Sequence, residues 1–246
     1  MLEETYYLGA YWGARREEVG ECSRRAELFF HMLARCDVSL GQWYRSGRVP
    51  RGTPGHLVRT NDRGALEELF LRGRNRTDLH ERVIEALGFS LDVWNQLPDA
   101  KAAKLSINCG VFSEEISNTC IVELPSQGEA VERMLSLPTL IQVLTSMVIA
   151  WDPDWGVVNT NRALMELVPR GDERTSDVGW VTYLAHRRGT VPPLPAPVRI
   201  EPVGELGMLV ILTPERFTAS NPEHIALGRR VHELLDRAGL LKPLPS

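Results

Sequence analysis

The apolar and polar positions along the chain predict strands and helices in an irregular order, without repeating strand–helix–strand units. Residues 5–12 (TYYLGAYW) are rich in aromatic side chains and end at Gly13, which is typical of a strand. Both faces of this strand are apolar, which indicates a central place in a sheet. From Val19 to Leu33 the apolar residues recur every three or four positions, so this stretch predicts an amphipathic helix.

Two shorter helices are predicted in the next part of the chain. Residues 45–61 are rich in Arg, Gly and Pro and are expected to form an irregular loop. The apolar residues from Leu66 to Phe70 predict a short helix after that loop. A further helix is expected to begin at a Thr77 cap and to stop at Gly88, because Thr favours helix starts and Gly favours helix ends.

A β-hairpin is predicted in the middle of the chain. Residues 105–111 (LSINCGV) alternate between apolar and small or polar side chains, and residues 119–124 (TCIVEL) return after the turn FSEEISN. Cys109 and Cys120 could face each other across this hairpin. We interpret them as buried, reduced thiols, because disulfides are rare in the cytosol.

The second half of the chain predicts a buried helix, several strands and a final helix. Residues 139–151 form an apolar helix that Pro153 ends, because the residue before a proline disfavours helical geometry. Asn221 is expected to cap the final helix and Gly239 to end it. Strands are predicted at 156–160, 179–185, 198–203 and 208–212. The inner face of the final helix is predicted to comprise Leu227, Val231, Leu234, Leu235 and Ala238.

These elements together indicate an α+β protein. We expect a mixed, largely antiparallel sheet with helices packed on it, because hairpins outnumber regular crossover units. The chain is predicted to form one domain over residues 1–246. The Pro-rich stretch at 191–198 (VPPLPAPV) is expected to be a surface connector within that domain.

Composition and charge argue against nucleic acids and membranes as binding partners. The chain has 246 residues and a formal net charge of −4, which argues against a general nucleic-acid binder. Eight arginines oppose three acidic residues between positions 45 and 76, but few aromatics are interleaved, so we expect a solvated loop there. The N-terminus has no signal-peptide pattern and no run is long enough to span a membrane. We therefore predict a cytoplasmic protein without direct nucleic-acid or membrane contact, and the oligomeric state stays open.

Common catalytic and metal-binding motifs are missing from the sequence. It has no phosphate-binding P-loop, no G-x-S-x-G nucleophile elbow, no H-E-x-x-H and no paired C-x-x-C. The six histidines are scattered. We accordingly predict no catalytic residue, no cofactor and no bound metal.

The stretch AWDPDWGVV at 150–158 begins like a calcium-binding loop. Such a loop needs a glycine at its sixth position and a glutamate at its twelfth, where this chain has Val157 and Ala163. We therefore interpret the stretch as a helix-to-strand junction in which Gly156 forms the turn. Asp152 and Asp154 are expected to accept local backbone N–H groups, as Asp commonly does at turns.

Several blocks resemble the bacterial polymorphic-toxin immunity family called immunity protein 52. They are YYLGAYWGARRE at 6–17, LFLRGRNR at 69–76, LGFSLDVWN at 87–95 and AWDPDWGVV at 150–158. The strand GWVTYL and the C-terminal helix are also similar to type VI secretion immunity proteins. The resemblance implies a non-enzymatic inhibitor of a cognate secreted toxin. It also implies that the toxin, typically a restriction-endonuclease-like DNase, acts in competition between bacteria.

The resemblance supplies no contact residues, so candidates come from exposed acids and aromatics. An acidic patch could complement the basic cleft of a nuclease. Trp155 and Trp180 are candidate aromatic anchors, although a core position is expected for both. The acidic candidates for partner binding are Glu114, Glu115, Asp152, Asp154, Asp172 and Glu173.

Two other functions stay open from the sequence. One is a small cytosolic enzyme of unrecognised type that uses Cys109 or a histidine, which a concave pocket with convergent polar groups would favour. The other is an adaptor of a secretion system. A flat or convex acidic face would favour the inhibitor.

Overall fold

The computed structural model describes residues 4–45, 55–77, 82–167 and 176–244. Within these ranges the strands are β1 (Tyr6–Trp12), β2 (Tyr44–Arg45), β3 (Phe89–Trp94), β4 (Lys104–Cys109), β5 (Asn118–Glu123), β6 (Trp155–Thr160), β7 (Val181–Ala185), β8 (Arg199–Val203) and β9 (Gly207–Ile211). The α-helices are α1 (Val19–Leu33), α2 (Arg63–Arg72), α3 (Ala130–Met134), α4 (Leu137–Trp151), α5 (Asn161–Leu167) and α6 (Pro222–Arg237).

All these strands form one sheet in the order β2-β3-β4-β5-β1-β6-β7-β9-β8. Every neighbouring pair is antiparallel, so the predicted α+β class is confirmed and the described strands contain no parallel pairing. β1 lies between β5 and β6, as its two apolar faces predicted. The apolar strand β9 is also an inner strand, between β7 and β8.

Helices α1 and α4 pack on one face of the sheet around aromatic side chains. Trp12 of β1 stacks on Trp151 at the end of α4, with 5.5 Å between ring centroids, and Phe29 of α1 meets Trp151 edge-on at 6.5 Å. Gly156 of β6 lies under Leu144 of α4, where a Cβ atom would come within 3.0 Å of a Leu144 methyl group. The absence of a side chain at position 156 therefore lets α4 approach the sheet.

Side-chain caps define the starts of helices α2, α4 and α6, whereas α1 has none. The side chain of Ser136 accepts a hydrogen bond from the backbone N–H of Thr139 at the start of α4. Asp62 caps α2 and Asn221 caps α6 in the same way, the latter as predicted. At its other end α4 stops at Asp152, which adopts the left-handed conformation with φ 47° and ψ 60°.

The structure corrects three sequence-based assignments. The helix predicted from Thr77 to Gly88 is wrong where it is described: residue 83 is extended, and only residues 85–87 form a short 3₁₀ turn. Residues 78–81 of that helix lie outside the described residues. Gly156 is a strand residue, so the turn of the junction is made by Asp152 instead. Ala238 is exposed, because the inner line of α6 follows Ile225, Gly228, Val231 and Leu235.

The predicted hairpin is confirmed as β4 and β5, but its cysteines are not opposite each other. The register pairs Cys120 with Ile107 and Cys109 with Phe89 of β3. Both thiols are buried and free, and burial raises the pKa of each well above its usual value. This environment keeps the thiols protonated and unreactive, as is typical of buried structural cysteines.

None of the described helices combines the length and the hydrophobicity of a membrane span. Residues 191–198 contain neither helix nor strand and lead directly into β8. Their role as a connector within a single domain over 1–246 stays a prediction.

Candidate partner-binding surface

Glu114 and Glu115 lie at the tip of the β4–β5 hairpin, where both side chains are exposed. The backbone N–H of Glu115 donates a hydrogen bond to the Ser113 hydroxyl at 3.2 Å, which orders the turn. Ile116 beside them is 49% exposed. The tip therefore presents two acids and one apolar side chain to solvent.

Asp152 and Asp154 instead hold one arginine at the α4–β6 junction. Arg187 donates to Asp154 Oδ1 from Nε at 2.6 Å and to Asp152 Oδ1 from Nη1 at 2.9 Å. Asp154 Oδ2 also accepts the backbone N–H of Gly13 at 3.0 Å. Burial alone lowers the pKa of Arg187, but its hydrogen bonds to both carboxylates outweigh burial and raise it. Both carboxylates thus bind a side chain that is distant in sequence, whereas hydrogen bonds from backbone N–H groups of the local turn were expected.

Three arginines donate hydrogen bonds to the carbonyl groups at the C-terminal end of α4. Arg25 donates to the carbonyl of Ala150 at 2.9 Å and Arg15 to that of Trp151 at 2.7 Å. Arg187 also donates to the carbonyl of Asp152 at 2.8 Å. These carbonyls have no partner within the helix and carry the negative end of its dipole, so guanidinium groups stabilise them.

Both candidate tryptophan anchors are buried. Trp155 is 6% exposed, stacks on Tyr11 with 4.6 Å between ring centroids, and donates its indole N–H to the carbonyl of Asp177 at 2.9 Å. Trp180 is 1% exposed and donates to the carbonyl of Thr213. The core position expected for both is confirmed. Asp172 and Glu173 lie outside the described residues.

The other face of the sheet carries a broad set of polar and aromatic side chains from β1, β3, β4 and β5. Along these strands buried residues alternate with half-exposed or exposed ones, and the exposed set points away from α1 and α4. We name this surface the open face. Its residues are Tyr7, Tyr11, Ser90, Asp92, Trp94, Lys104, Ser106, Asn108, Thr119, Ile121 and Glu123.

Cross-strand rows order the open face. In one row the Ser90 hydroxyl donates to Asn108 Oδ1 at 2.7 Å, and Asn108 Nδ2 donates to Thr119 Oγ1 at 3.1 Å. Thr119 lies opposite Tyr11 in the register. Hydrogen bonds along such a row fix side-chain rotamers before a partner arrives, which lowers the entropy cost of binding.

A second row places two charged side chains between two aromatic ones. Trp94, Lys104, Glu123 and Tyr7 lie side by side on four adjacent strands. Lys104 and Glu123 are opposite charges on neighbouring strands, a favourable cross-strand pair. Tyr and Trp are enriched at protein interfaces because they supply large, rigid contact area, and in antibody paratopes Ser and Asn add adaptable hydrogen bonds beside them.

Comparison with known proteins decides the family. The sequence model of the family described as immunity protein 52 matches residues 4–244. The chain belongs to the immunity protein 52 family. None of the curated proteins compared with it matches. This immunity protein 52 chain is similar in structure to the Pseudomonas aeruginosa T6SS protein PA0821, with a TM-score of 0.57 and 13% identity. The alignment covers 94% of this chain and 72% of that chain, which shows a shared fold.

A groove with mixed polar and apolar lining also lies on the helical side of this immunity protein 52 chain. It has a volume of about 660 Å³ and is lined in part by Arg24, Glu27, His31 and Arg63. Glu27 and Arg63 pair with each other at 3.1 Å, so their charges are largely compensated.

Among the described residues, no three His, Cys, Asp or Glu side chains are placed to hold a metal ion.

The open face was missed in the sequence because no single motif marks it. The available signal was the alternation in residues 104–109 (KLSINC), whose polar positions Lys104, Ser106 and Asn108 all point to that face. The partner strands β3 and β1 are distant in sequence from β4. Their contribution depends on the register of the sheet.

Proposed function

We propose that this protein binds and neutralises a cognate secreted antibacterial toxin and that it does so without catalysis. The observation that carries the proposal is the immunity protein 52 match over residues 4–244, which spans nearly the whole described chain. The fold shared with a T6SS protein supports a toxin delivered between bacterial cells by type VI secretion. In this proposal the protein acts in the cytoplasm of the cell that makes the toxin.

The toxin we propose is a restriction-endonuclease-like DNase, as the family resemblance implies. A DNA-cleaving enzyme must present cationic groups to the phosphate backbone. An inhibitor with a net charge of −4 suits such a surface, because charge complementarity raises the association rate.

We place the toxin contact on the open face and on the adjoining hairpin tip with Glu114 and Glu115. The tip follows β4 and precedes β5, so it borders the row that contains Asn108 and Thr119. Asp152 and Asp154 are occupied by Arg187 and Trp155 is buried, so the described contacts favour the open face over this junction. Together the tip and the open face offer acids at the rim and aromatic and polar groups at the centre, a common plan for protein interfaces.

Rescue from toxicity tests the proposed function. We expect that co-expression of this chain restores growth of cells that express its cognate toxin gene, which is to be sought beside its own gene. A control culture carries the chain with a stop codon early in β1. If cells die equally with and without the full chain while both proteins accumulate, the immunity proposal is wrong.

Charge reversal at the hairpin tip tests the placement of the contact. We expect Glu114→Lys with Glu115→Lys to slow association with the toxin by roughly ten-fold at low salt, because exposed rim charges act mainly on the association rate. The measurement is surface plasmon resonance at two ionic strengths. The matched control is Glu129→Lys with Glu205→Lys, two exposed acids away from the tip. Equal association rates for both double variants would contradict the placement.

A further inference from the structure

The border of the open face next to β6 brings the backbone of Asp177 into contact with an aromatic side chain. Asp177 lies on the segment before β7, and its backbone carbonyl accepts the indole N–H of Trp155 at 2.9 Å. Trp155 stacks on Tyr11 at 4.6 Å. Burial raises the pKa of Tyr11, and the charge of Asp177 is the next largest cause. Burial also raises the pKa of Tyr7, followed by Tyr11 and then by the charge of Asp177. We name Asp177, Tyr7, Tyr11 and Trp155 the Asp177 socket.

The socket depends on a glycine in β1. The Tyr11 ring lies back over Gly9, so that a Cβ atom at position 9 would come within 2.4 Å of the Tyr11 hydroxyl oxygen. Only a residue without a side chain leaves room for this arrangement, which brings the Tyr11 hydroxyl toward Tyr7. The interior glycine of a strand therefore has a specific role here, since glycine otherwise weakens strands.

Among the described residues, no basic side chain forms an ion pair with the Asp177 carboxylate. Its Oδ1 atom is buried without a hydrogen-bond partner, and burial alone accounts for the raised pKa of the group, about 6. Two further buried polar atoms nearby in the fold also have no partner: Asn159 Nδ2, whose residue pairs with Tyr7 in the sheet, and Ser176 Oγ. Buried polar atoms without a hydrogen-bond partner lower the stability of a folded protein unless a ligand supplies the partner.

We propose that the Asp177 socket receives a cationic side chain, arginine or lysine, of the toxin. The carboxylate supplies the opposite charge, and the half-exposed rings of Tyr7 and Tyr11 supply faces on which a cation is attracted. Trp155 is buried and supports the site from below, through its stacking on Tyr11 and its hydrogen bond to the Asp177 carbonyl. The cation would in turn supply a partner for the carboxylate, whose Oδ1 atom has none among the described residues. This inference rests on the proposed function, and it gives the open face a specific anchor for the basic surface of a nuclease.

Substitution of the carboxylate tests the socket in the complex. We expect Asp177→Asn to weaken toxin binding by at least about 30-fold in Kd, mainly through faster dissociation, because it leaves a buried cation unpaired. Asp236→Asn, an exposed acid on α6, is the matched control and should change Kd less than about three-fold. If the wild type binds the toxin and Asp177→Asn binds equally well, the socket is refuted and the proposed function stands.

A small probe tests the socket without the toxin. We expect N-acetyl-arginine amide to shift the Trp155 indole N–H signal in ¹H–¹⁵N NMR spectra of the wild type in a saturable manner at pH 7.5. N-acetyl-glutamine amide should give no such shift, and N-acetyl-lysine amide distinguishes guanidinium from ammonium. The arginine probe should have no saturable effect on Asp177→Asn. Equal responses of both proteins would overturn the socket even if no toxin binds.

A stability profile separates a loss of binding contacts from misfolding of the variant. The folded state holds the Asp177 proton up to about pH 6, against a usual pKa of 3.8, so this group destabilises the fold progressively as pH rises from about 4 to about 6. Tyr7 and Tyr11, the titratable groups that act on it, stay neutral in this range. The Asp177→Asn variant lacks this loss of stability, so at pH 7 its melting temperature should equal or exceed that of the wild type. A lower melting temperature at pH 7 would assign its binding defect to folding.

Discussion

Trp151→Ala is expected to destabilise the protein by about 3–5 kcal/mol, the range for removal of a large buried aromatic side chain. Trp151 is fully buried, and its ring joins the sheet to both helices through Trp12 and Phe29. Alanine would leave a cavity between α1, α4 and β1 that these rigid neighbours cannot close. Thermal unfolding should show a melting temperature lower by on the order of 10 °C.

Ile149→Ala is the matched control in the same helix. Ile149 is 43% exposed, so its truncation should change stability by less than about 0.5 kcal/mol. The pair of variants separates loss of core packing from any general effect of alanine in α4. A difference between the two variants below about 1 kcal/mol would show that Trp151 does not hold these elements together.

Asp154→Ala is expected to destabilise the fold by roughly 2–4 kcal/mol. The side chain is nearly buried, and its loss removes the acceptor of the Gly13 N–H and the closest partner of Arg187. A buried donor without a partner costs its full desolvation free energy, and breaking a buried ion pair costs more than an exposed one. Arg187 is about half exposed and can turn toward water, which keeps the loss below that of a fully buried pair.

Asp152→Ala tests how much the more exposed of the two ion pairs of Arg187 contributes to stability. Asp152 and Arg187 are each nearly half exposed, so their ion pair should contribute at most about 1 kcal/mol. Urea unfolding of both variants at pH 7 gives the comparison. Equal losses for Asp152→Ala and Asp154→Ala would mean that burial does not set the strength of this junction, contrary to the structure.

Patterns that depend on neighbours in sequence were predicted well. The cap at Asn221, the helix from Val19 to Leu33 and the β4–β5 hairpin arise from local backbone preferences and short-range periodicity, and all are confirmed. Helix α5 and strand β3 were not predicted. Thr160 caps α5 through its hydroxyl, but the helix has only seven residues, too few to be stable without packing.

The set of buried residues of a helix was predicted less well than the helix itself. In α6 the periodicity was correct, yet Ala238 is exposed and Gly228 is buried, because Leu167 of α5 lies against Gly228. The stretch 77–88 was predicted to be helical from local signals. The register with β4 instead pulls the following residues into β3, and a sheet contact of this kind between distant segments outweighs weak helix propensity.

The sequence by itself determined the α+β class, the cap at Asn221 and the burial of Trp151, Trp155 and Trp180, since these follow from periodicity and short-range chemistry. Several sequence blocks carried the family resemblance. Tertiary structure alone decided the functional geometry. It joined Asp152 and Asp154 to Arg187, aligned the polar residues of four strands on the open face, and brought Asp177 beside Tyr7 and Tyr11. These residues are brought together by strand register and long-range packing, which depend on the whole fold, so no local pattern could have predicted their meeting.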